Sequence, residues 1–223
     1  MNKPRLVLFD LDNTLLTGDS DVLWCDFLMD RGVLERAQFA ARNAEMDSRY
    51  KAGTVSAQEF AGFYLEALQG RTVVSLEPLR REFLHEVVVP RIPAGALALV
   101  RQHRDAGDLC AITTATSRFI TELTAEHFGI DQLIAIEPEV AQGCFTGRAN
   151  GVLNMREGKV VRLHEWLRAR GAQLADFAST AYSDSINDLP LLEAVDEPVV
   201  VDADARLLAI ARERGWRQLH FDR

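Results

Sequence analysis

Cysteine is scarce in this chain. Cys25, Cys110 and Cys144 are odd in number and form no C-x-x-C pair. That excludes a disulfide framework and a paired-cysteine metal site, and it predicts a reduced, cytoplasmic protein with inert thiols. The five histidines show no H-x-H or H-x-x-x-H spacing, so histidine-ligated zinc is not expected. Apolar runs stay well short of the ~18 residues that span a bilayer, and the first residues carry no signal-peptide h-region. Basic residues are outnumbered, 25 Lys and Arg against 33 Asp and Glu, for a net charge of −8. Nucleic acid and anionic membrane surfaces are therefore poor partners. Internal repeats and low-complexity tracts are also missing.

What remains is a chain of 223 residues, 48% hydrophobic and 26% charged, enough for one α/β core with a smaller insertion. The most informative stretch is Leu6-Val-Leu-Phe-Asp10-Leu-Asp12-Asn-Thr14. Leu6 to Phe9 read as a buried strand that delivers two carboxylates, two residues apart, to its end. Side by side they repel, so the pair calls for a cation or a shared proton. A Mg²⁺-dependent phosphoryl-transfer site built on a nucleophilic aspartate has that requirement.

From about residue 93 onward, strand-like and helix-like segments alternate. Helices are expected over 93–107, 117–128, 159–170, 187–194 and 206–214. Strands are expected over 109–113, 133–136, 177–182 and 199–201. Turn signals at Gly143–Gly147 and Asn150-Gly151 suggest hairpins. Alternating βα units imply a parallel sheet covered on both faces. Residues 19–89 differ, with helical periodicity and no convincing strand. Trp24, Phe27 and Leu28 share one face, and Ser56-Ala-Gln-Glu59 is a capping box ahead of Phe60, Phe63 and Tyr64. The expected architecture is α/β: a Rossmann-like parallel sheet core, residues 1–16 and 90–223, with an inserted helical-bundle cap, residues 17–89.

Four polar clusters fall where strands are expected to end: Asp10/Asp12 with Thr14; Thr113-Thr114-Ala-Thr116-Ser117; Lys159; and Asp184-Ser-Ile-Asn187-Asp188. Ligands of parallel α/β sheets bind beyond those ends, near a topological switch point. Taken singly, each cluster is an ordinary turn, cap or exposed residue. Their joint order is what carries information.

These clusters resemble the motifs of the haloacid dehalogenase-like phosphohydrolases. Asp10-Leu-Asp12-Asn-Thr14 matches D-x-D-x-T, Thr114 the hydroxyl ending the second strand, Lys159 the lone lysine, and Asp184 to Asp188 the G-D-x-x-N-D run. Ser183 stands where that run usually has glycine. The helical insertion resembles the family's type-1 cap. Within the family the chain is similar to the phosphoserine-phosphatase-like branch, including histidinol-phosphatase-like proteins, through Tyr182 to Glu193 and the Ala211-Arg-Glu-Arg-Gly-Trp216 ending.

The resemblance implies a phosphomonoesterase. Asp10 would attack phosphorus to form an aspartyl-phosphate, and Asp12 would act as acid, then base. Asp10, the Asp12 carbonyl, Asp184 and Asp188 would hold Mg²⁺. Thr114 would donate to a phosphoryl oxygen and Lys159 would neutralise its charge. Thr116, Arg118 and Asn187 are further substrate-contact candidates. The substrate would be a small phosphorylated metabolite. Phosphoserine phosphatases hold the substrate amine with a glutamate nine residues after the nucleophile. Asp19 occupies that position, with Asp21 nearby, and an N-cap role for Asp19 is an equal alternative. Their carboxylate-clamping arginine has no counterpart from Glu59 to Gln69. This favours an amino-alcohol phosphate such as histidinol phosphate over phosphoserine, with Trp24, Phe63 and Tyr64 available to pack an imidazole. A phosphotransferase of the same family and a receiver-like phospho-acceptor remain as alternatives. Oligomeric state is not legible.

Overall fold

The computed structural model describes residues 3–222. Seven strands form one sheet in the order β4-β3-β2-β1-β5-β6-β7. β1 (Arg5–Phe9) lies at its centre between β2 (Leu109–Ser117) and β5 (Ala178–Ser183). β3 (Gln132–Ala141), β6 (Glu197–Val201) and β7 (Arg217–Leu219) continue the parallel pairing outward, while β4 (Cys144–Asn150) returns antiparallel to β3. Leu6 to Phe9 are buried on both faces of the sheet, as expected of a central parallel strand. The chain leaves β1 toward β2 on one side and β5 on the other, so strand order reverses at β1. This is the switch point at which open α/β sheets bind ligands.

Between β1 and β2 lie α1 (Ser20–Asp30), α2 (Arg36–Ala52), α3 (Ala57–Glu66), α4 (Val73–Phe83) and α5 (Ala94–Asp105). A wide turn at Leu84–Val88 and a 3₁₀ turn at Val89–Arg91 join the last two. The periodic residues Trp24, Phe27, Leu28, Phe60, Phe63 and Tyr64 are all buried. Both bonds of the Ser56/Glu59 capping box form. The helical segment shares one continuous apolar core with a face of the sheet, in which Trp24 meets Phe83 and Phe119 edge-on. The opposite face is covered by α7 (Glu157–Arg168), α8 (Leu189–Ala194) and α9 (Ala205–Glu213), through Leu163, Leu192 and Leu207. α6 (Arg118–His127) packs on β3.

Several boundaries differ from the sequence expectations. β2 runs on to Ser117 through an irregular stretch after Thr113, so the threonine cluster lies on the strand. β3 extends to Ala141 because the hairpin with β4 prolongs it; the turn is Gln142-Gly143, while Gly147 lies within β4. The helix expected at 187–194 opens with a 3₁₀ turn at Ile186–Asp188. β7 is too short and polar to show a pattern, and it exists by pairing with β6. Among the described residues, no single helix is long and apolar enough to cross a membrane.

Candidate active site

The first turn after β1 builds the site. Asp10 N–H still donates to the Tyr182 carbonyl of β5 (2.9 Å), and Leu15 and Leu16 N–H both return to the Leu11 carbonyl. This tight return keeps Asp10, Asp12 and Thr14 at the strand end. Asp10 is 6% exposed. Its Oδ1 accepts from Lys159 Nζ (2.7 Å) and its Oδ2 from Thr14 Oγ1 (2.9 Å). Lys159 Nζ donates equally to Asp188 Oδ2 (2.7 Å). Burial opposes the lysine's charge, but Asp10 and Asp188 more than reverse that and raise its pKa. Burial, with help from Asp188 and Asp12, lifts Asp10 to about 7 against the pull of Lys159.

Lys159 reaches this position because Gly158, before it, packs where a Cβ would lie 2.0 Å from the Leu153 carbonyl oxygen. No other residue allows that approach. Ser183, the departure from the family pattern, donates from Oγ to Asp188 Oδ2 (2.8 Å) and accepts from Ser185 N–H. The substituted hydroxyl thus serves the acid that pairs with Lys159.

Asp12 is held by four donors. Ser20 supplies its N–H (2.7 Å) and its hydroxyl to Oδ1, while Thr114 Oγ1 (3.1 Å) and Thr116 Oγ1 (2.9 Å) reach Oδ2. Asn154 fixes the end of β2 through Thr113 Oγ1 and the carbonyls of Thr114 and Ile134. Thr114, expected to face a phosphoryl oxygen, here donates to Asp12.

Asp184 Oδ1 and Asp10 Oδ2 both lie 2.9 Å from Thr14 Oγ1. One hydroxyl proton satisfies one carboxylate, so the buried Asp10 and the half-buried Asp184 face each other across it. Burial, then Asp10, pushes Asp184 well above the carboxylate range. A proton or a cation relieves that repulsion. Among the described residues, no three histidine, cysteine or acidic groups stand preset around one point. Mg²⁺ needs fewer, since one or two carboxylates suffice when waters complete its shell. Asp10 and Asp184 could hold it, with the Asp12 carbonyl as a further ligand.

A cavity of about 370 Å³ opens over these groups. Asp19, Thr116, Asn187 and Asp188 line it, as does Tyr50. Asp19 is the N-cap of α1, accepting from Asp21 and Val22 N–H through Oδ1, and it also lines the cavity. Burial and Asp12 raise Asp19 to about 8. A larger cleft, about 890 Å³, opens around Lys3, Phe177 and Asp196, where β1 and β5 begin, far from the carboxylates.

Three of the residues expected to contact substrate, Thr114, Arg118 and Asp21, lie off the cavity wall. Arg118 Nε binds both oxygens of Glu137 (3.0 and 2.9 Å) and its Nη2 the Leu133 carbonyl, so it serves α6 and β3 and does not line the cavity. Asp21 is 2% exposed and also off the cavity wall, its pKa raised well above normal by burial, then by Asp19 and Asp12. The aromatic residues at the cavity are not Trp24, Phe63 and Tyr64, which pack inside the helical layer, but Tyr50 and Phe60, with ring centroids 4.5 Å apart. Tyr50 lies outside the heptad-like triplets, at the end of α2, and carries no local signal.

A buried aspartate, a second acid two residues on, a buried lysine bound to two acids and a further acid across Thr14 thus meet at the switch point of the sheet. The chain belongs to the haloacid dehalogenase-like hydrolases, whose family model matches residues 7–193, and it is a phosphatase of that family. It is 38% identical over 219 residues to a histidinol-phosphatase of Neisseria meningitidis, covering 97% of this chain and 99% of the relative. It is 32% identical over 221 residues to a phosphoserine phosphatase of Mycobacterium tuberculosis, covering 96% of this chain and 70% of that one. A crystal structure of a Bordetella pertussis protein of unknown function superposes with a TM-score of 0.92 at 44% identity, covering 98% and 99% of the two chains. A phospho-aspartyl intermediate analogue of phosphoserine phosphatase shares the fold at a TM-score of 0.69 and 18% identity, covering 98% and 94%.

Proposed function

We propose that this protein is a Mg²⁺-dependent, cytoplasmic phosphatase that hydrolyses an amino-alcohol phosphate, histidinol phosphate in particular, through an aspartyl-phosphate. The observation that carries the substrate reading is the cavity wall. Asp19 would pair with an ammonium group, whose charge would draw off the proton that burial keeps there, and no arginine lines the cavity to hold a carboxylate. Of the lysines near it, Lys159 is already shared between two acids and Lys51 is bound to Asp47. Phosphoserine would bring a second anion to a wall whose charged groups are mostly aspartates, where the exposed Lys51, paired with Asp47, is the lining cation. The Tyr50/Phe60 face suits a flat heteroaromatic ring. Identity along nearly the whole length of a histidinol-phosphatase supports the same reading.

Asp10 is the nucleophile. Its anion, aligned by Lys159 and Thr14, forms the bond to phosphorus while the ester oxygen departs. Asp12 gives that oxygen its proton and later takes one from the water that opens the aspartyl-phosphate. Thr116, on the cavity wall, would turn from Asp12 to a phosphoryl oxygen, and Thr114, buried behind it, would hold Asp12 in place. Asp10 and Asp184 would hold Mg²⁺, with the Asp12 carbonyl, and Asp188 would support it. When bound, the metal supplies positive charge that a chain of net −8 otherwise lacks at this site. Residues 17–89 act as the cap that selects the leaving group.

The test is kcat/KM for L-histidinol phosphate against O-phospho-L-serine, measured with Mg²⁺. The expected result favours histidinol phosphate by roughly tenfold or more, as an unpaired anion in the pocket would require. A strong preference for phosphoserine overturns the substrate assignment.

A further inference from the structure

The carbonyls at the end of α2 and just beyond it are held by arginines from across the molecule. A helix leaves its last carbonyls without intrahelical partners. Here Arg206, on α9, reaches the Lys51 (2.9 Å) and Ala52 (3.3 Å) carbonyls. Arg156, which opens α7, donates from Nη2 to the carbonyls of Val55 (3.0 Å) and Gly53 (3.4 Å). The same guanidinium donates from Nε to Oδ1 of Asn187 (3.2 Å) on the cavity wall. Tyr50, one residue before the clamped stretch, faces that cavity from the other side. Arg156 has φ +53° and ψ −126°, a conformation that residues with a Cβ rarely adopt. Its carbonyl accepts the Lys159 N–H (3.0 Å). One side chain therefore ties the α2–α3 connection to the 184–188 loop, and its backbone starts the turn that delivers the buried lysine.

We propose that Arg156 is a positioning residue that couples docking of the helical segment to the Asn187 wall of the cavity, where the leaving group would lie. With the segment docked, the planar fork holds the 53–55 carbonyls and Asn187 together, and Tyr50 is set over the carboxylates. Undocking removes the fork's main partners and releases Asn187. A fork is needed, because a lysine offers a point charge that cannot span both partners in fixed geometry. The inference rests on the phosphatase chemistry of the site and not on the identity of the substrate.

The experiment compares Arg156→Ala, Arg156→Lys, Arg206→Ala, Asn187→Ala and the Arg156→Ala/Asn187→Ala double variant on L-histidinol phosphate and on acetyl phosphate. Acetyl phosphate is small, and its leaving group needs no acid and little from the helical segment. Arg156→Ala is expected to lower kcat/KM on histidinol phosphate by about 10- to 100-fold, the loss typical of a misplaced contact. Acetyl phosphate hydrolysis should stay within about threefold, because the reacting groups are untouched. Arg156→Lys should recover only part of the loss, Arg206→Ala should cost less, and the double variant should be no worse than Arg156→Ala. Amide hydrogen exchange over 49–56 should quicken in Arg156→Ala. Equal losses on both substrates, additive single effects or unchanged exchange would each overturn the coupling. If the parent enzyme cleaves acetyl phosphate but not histidinol phosphate, the substrate assignment fails, and the exchange comparison still decides the coupling. If Arg156→Ala does not fold, the lysine variant carries the same comparison.

Discussion

Lys159 Nζ lies 2.7 Å from Asp10 Oδ1, across 149 positions of sequence, and 2.7 Å from Asp188 Oδ2, with 2% of the lysine exposed. The contact makes Asp10 part of a buried triad of two acids and one base. Replacing Lys159 with Met leaves two buried carboxylates facing each other. That should destabilise the protein by about 3–5 kcal/mol at neutral pH, read as a drop in the denaturant midpoint. The deficit should shrink as pH falls and the acids take up protons, in parallel chemical unfolding of parent and variant.

Asp10→Asn removes the group proposed to attack phosphorus. Mg²⁺-dependent hydrolysis of p-nitrophenyl phosphate should fall by roughly 10⁴-fold or more, the scale of a lost nucleophile. Residual turnover near the parental rate would rule out a covalent route through this residue.

Asp12→Asn separates leaving-group protonation from attack. Turnover of an alkyl phosphate should fall by about 10²–10⁴-fold, the usual worth of a general acid. Acetyl phosphate, whose carboxylate departs unaided, should form the aspartyl-phosphate at a much less altered rate in single-turnover quench experiments.

Asp19 carries a pH signature with a definite sign. Burial and Asp12 raise its pKa from 3.8 to about 8. In the window between those values the folded state keeps a proton that the unfolded chain has lost, so this residue's stabilising contribution, complete below about pH 4, drains away as pH rises toward 8. Asp19→Asn keeps an acceptor for the α1 cap and no ionisable group. It should melt close to the parent at pH 4 and above it at pH 8.5. The same variant should weaken binding of the amino-alcohol phosphate, seen as a raised KM.

Metal dependence should be complete and reversible. Chelation with EDTA should abolish phosphate release, and Mg²⁺ should restore it. Asp184→Asn should raise the Mg²⁺ concentration needed for half-maximal rate by about 10- to 100-fold, as losses around a metal site commonly do. Isothermal titration with Mg²⁺ alone checks the affinity without relying on turnover.

Much of this was legible from residue order because its physics is local. Leu6 to Phe9 are a strand wherever the run is buried, and Asp10 and Asp12 follow at its end by connectivity. Trp24, Phe27 and Leu28 repeat at helical spacing because one helix face must be buried. Ser56 and Glu59 cap a helix without help from elsewhere. The threonine cluster was misplaced by a few residues because its strand is prolonged by pairing with β3, a contact that leaves no local pattern.

Tertiary structure decided the rest. Arg118 was a reasonable anion ligand until α6 turned it onto Glu137. Tyr50 and Phe60 replaced the expected aromatics because helix packing, not periodicity, chooses which ring faces a cavity. Arg156 and Asn187 meet only because the fold brings residues 53–55, 156 and 187 to one point. By itself the sequence determined which strand carries the two carboxylates and which residue types surround them, since hydrophobic burial and chain connectivity act over a few residues. Which of those groups share a proton, a cation or a guanidinium was decided by long-range packing, because such bonds depend on ångström distances between segments that the chain separates by up to 170 positions.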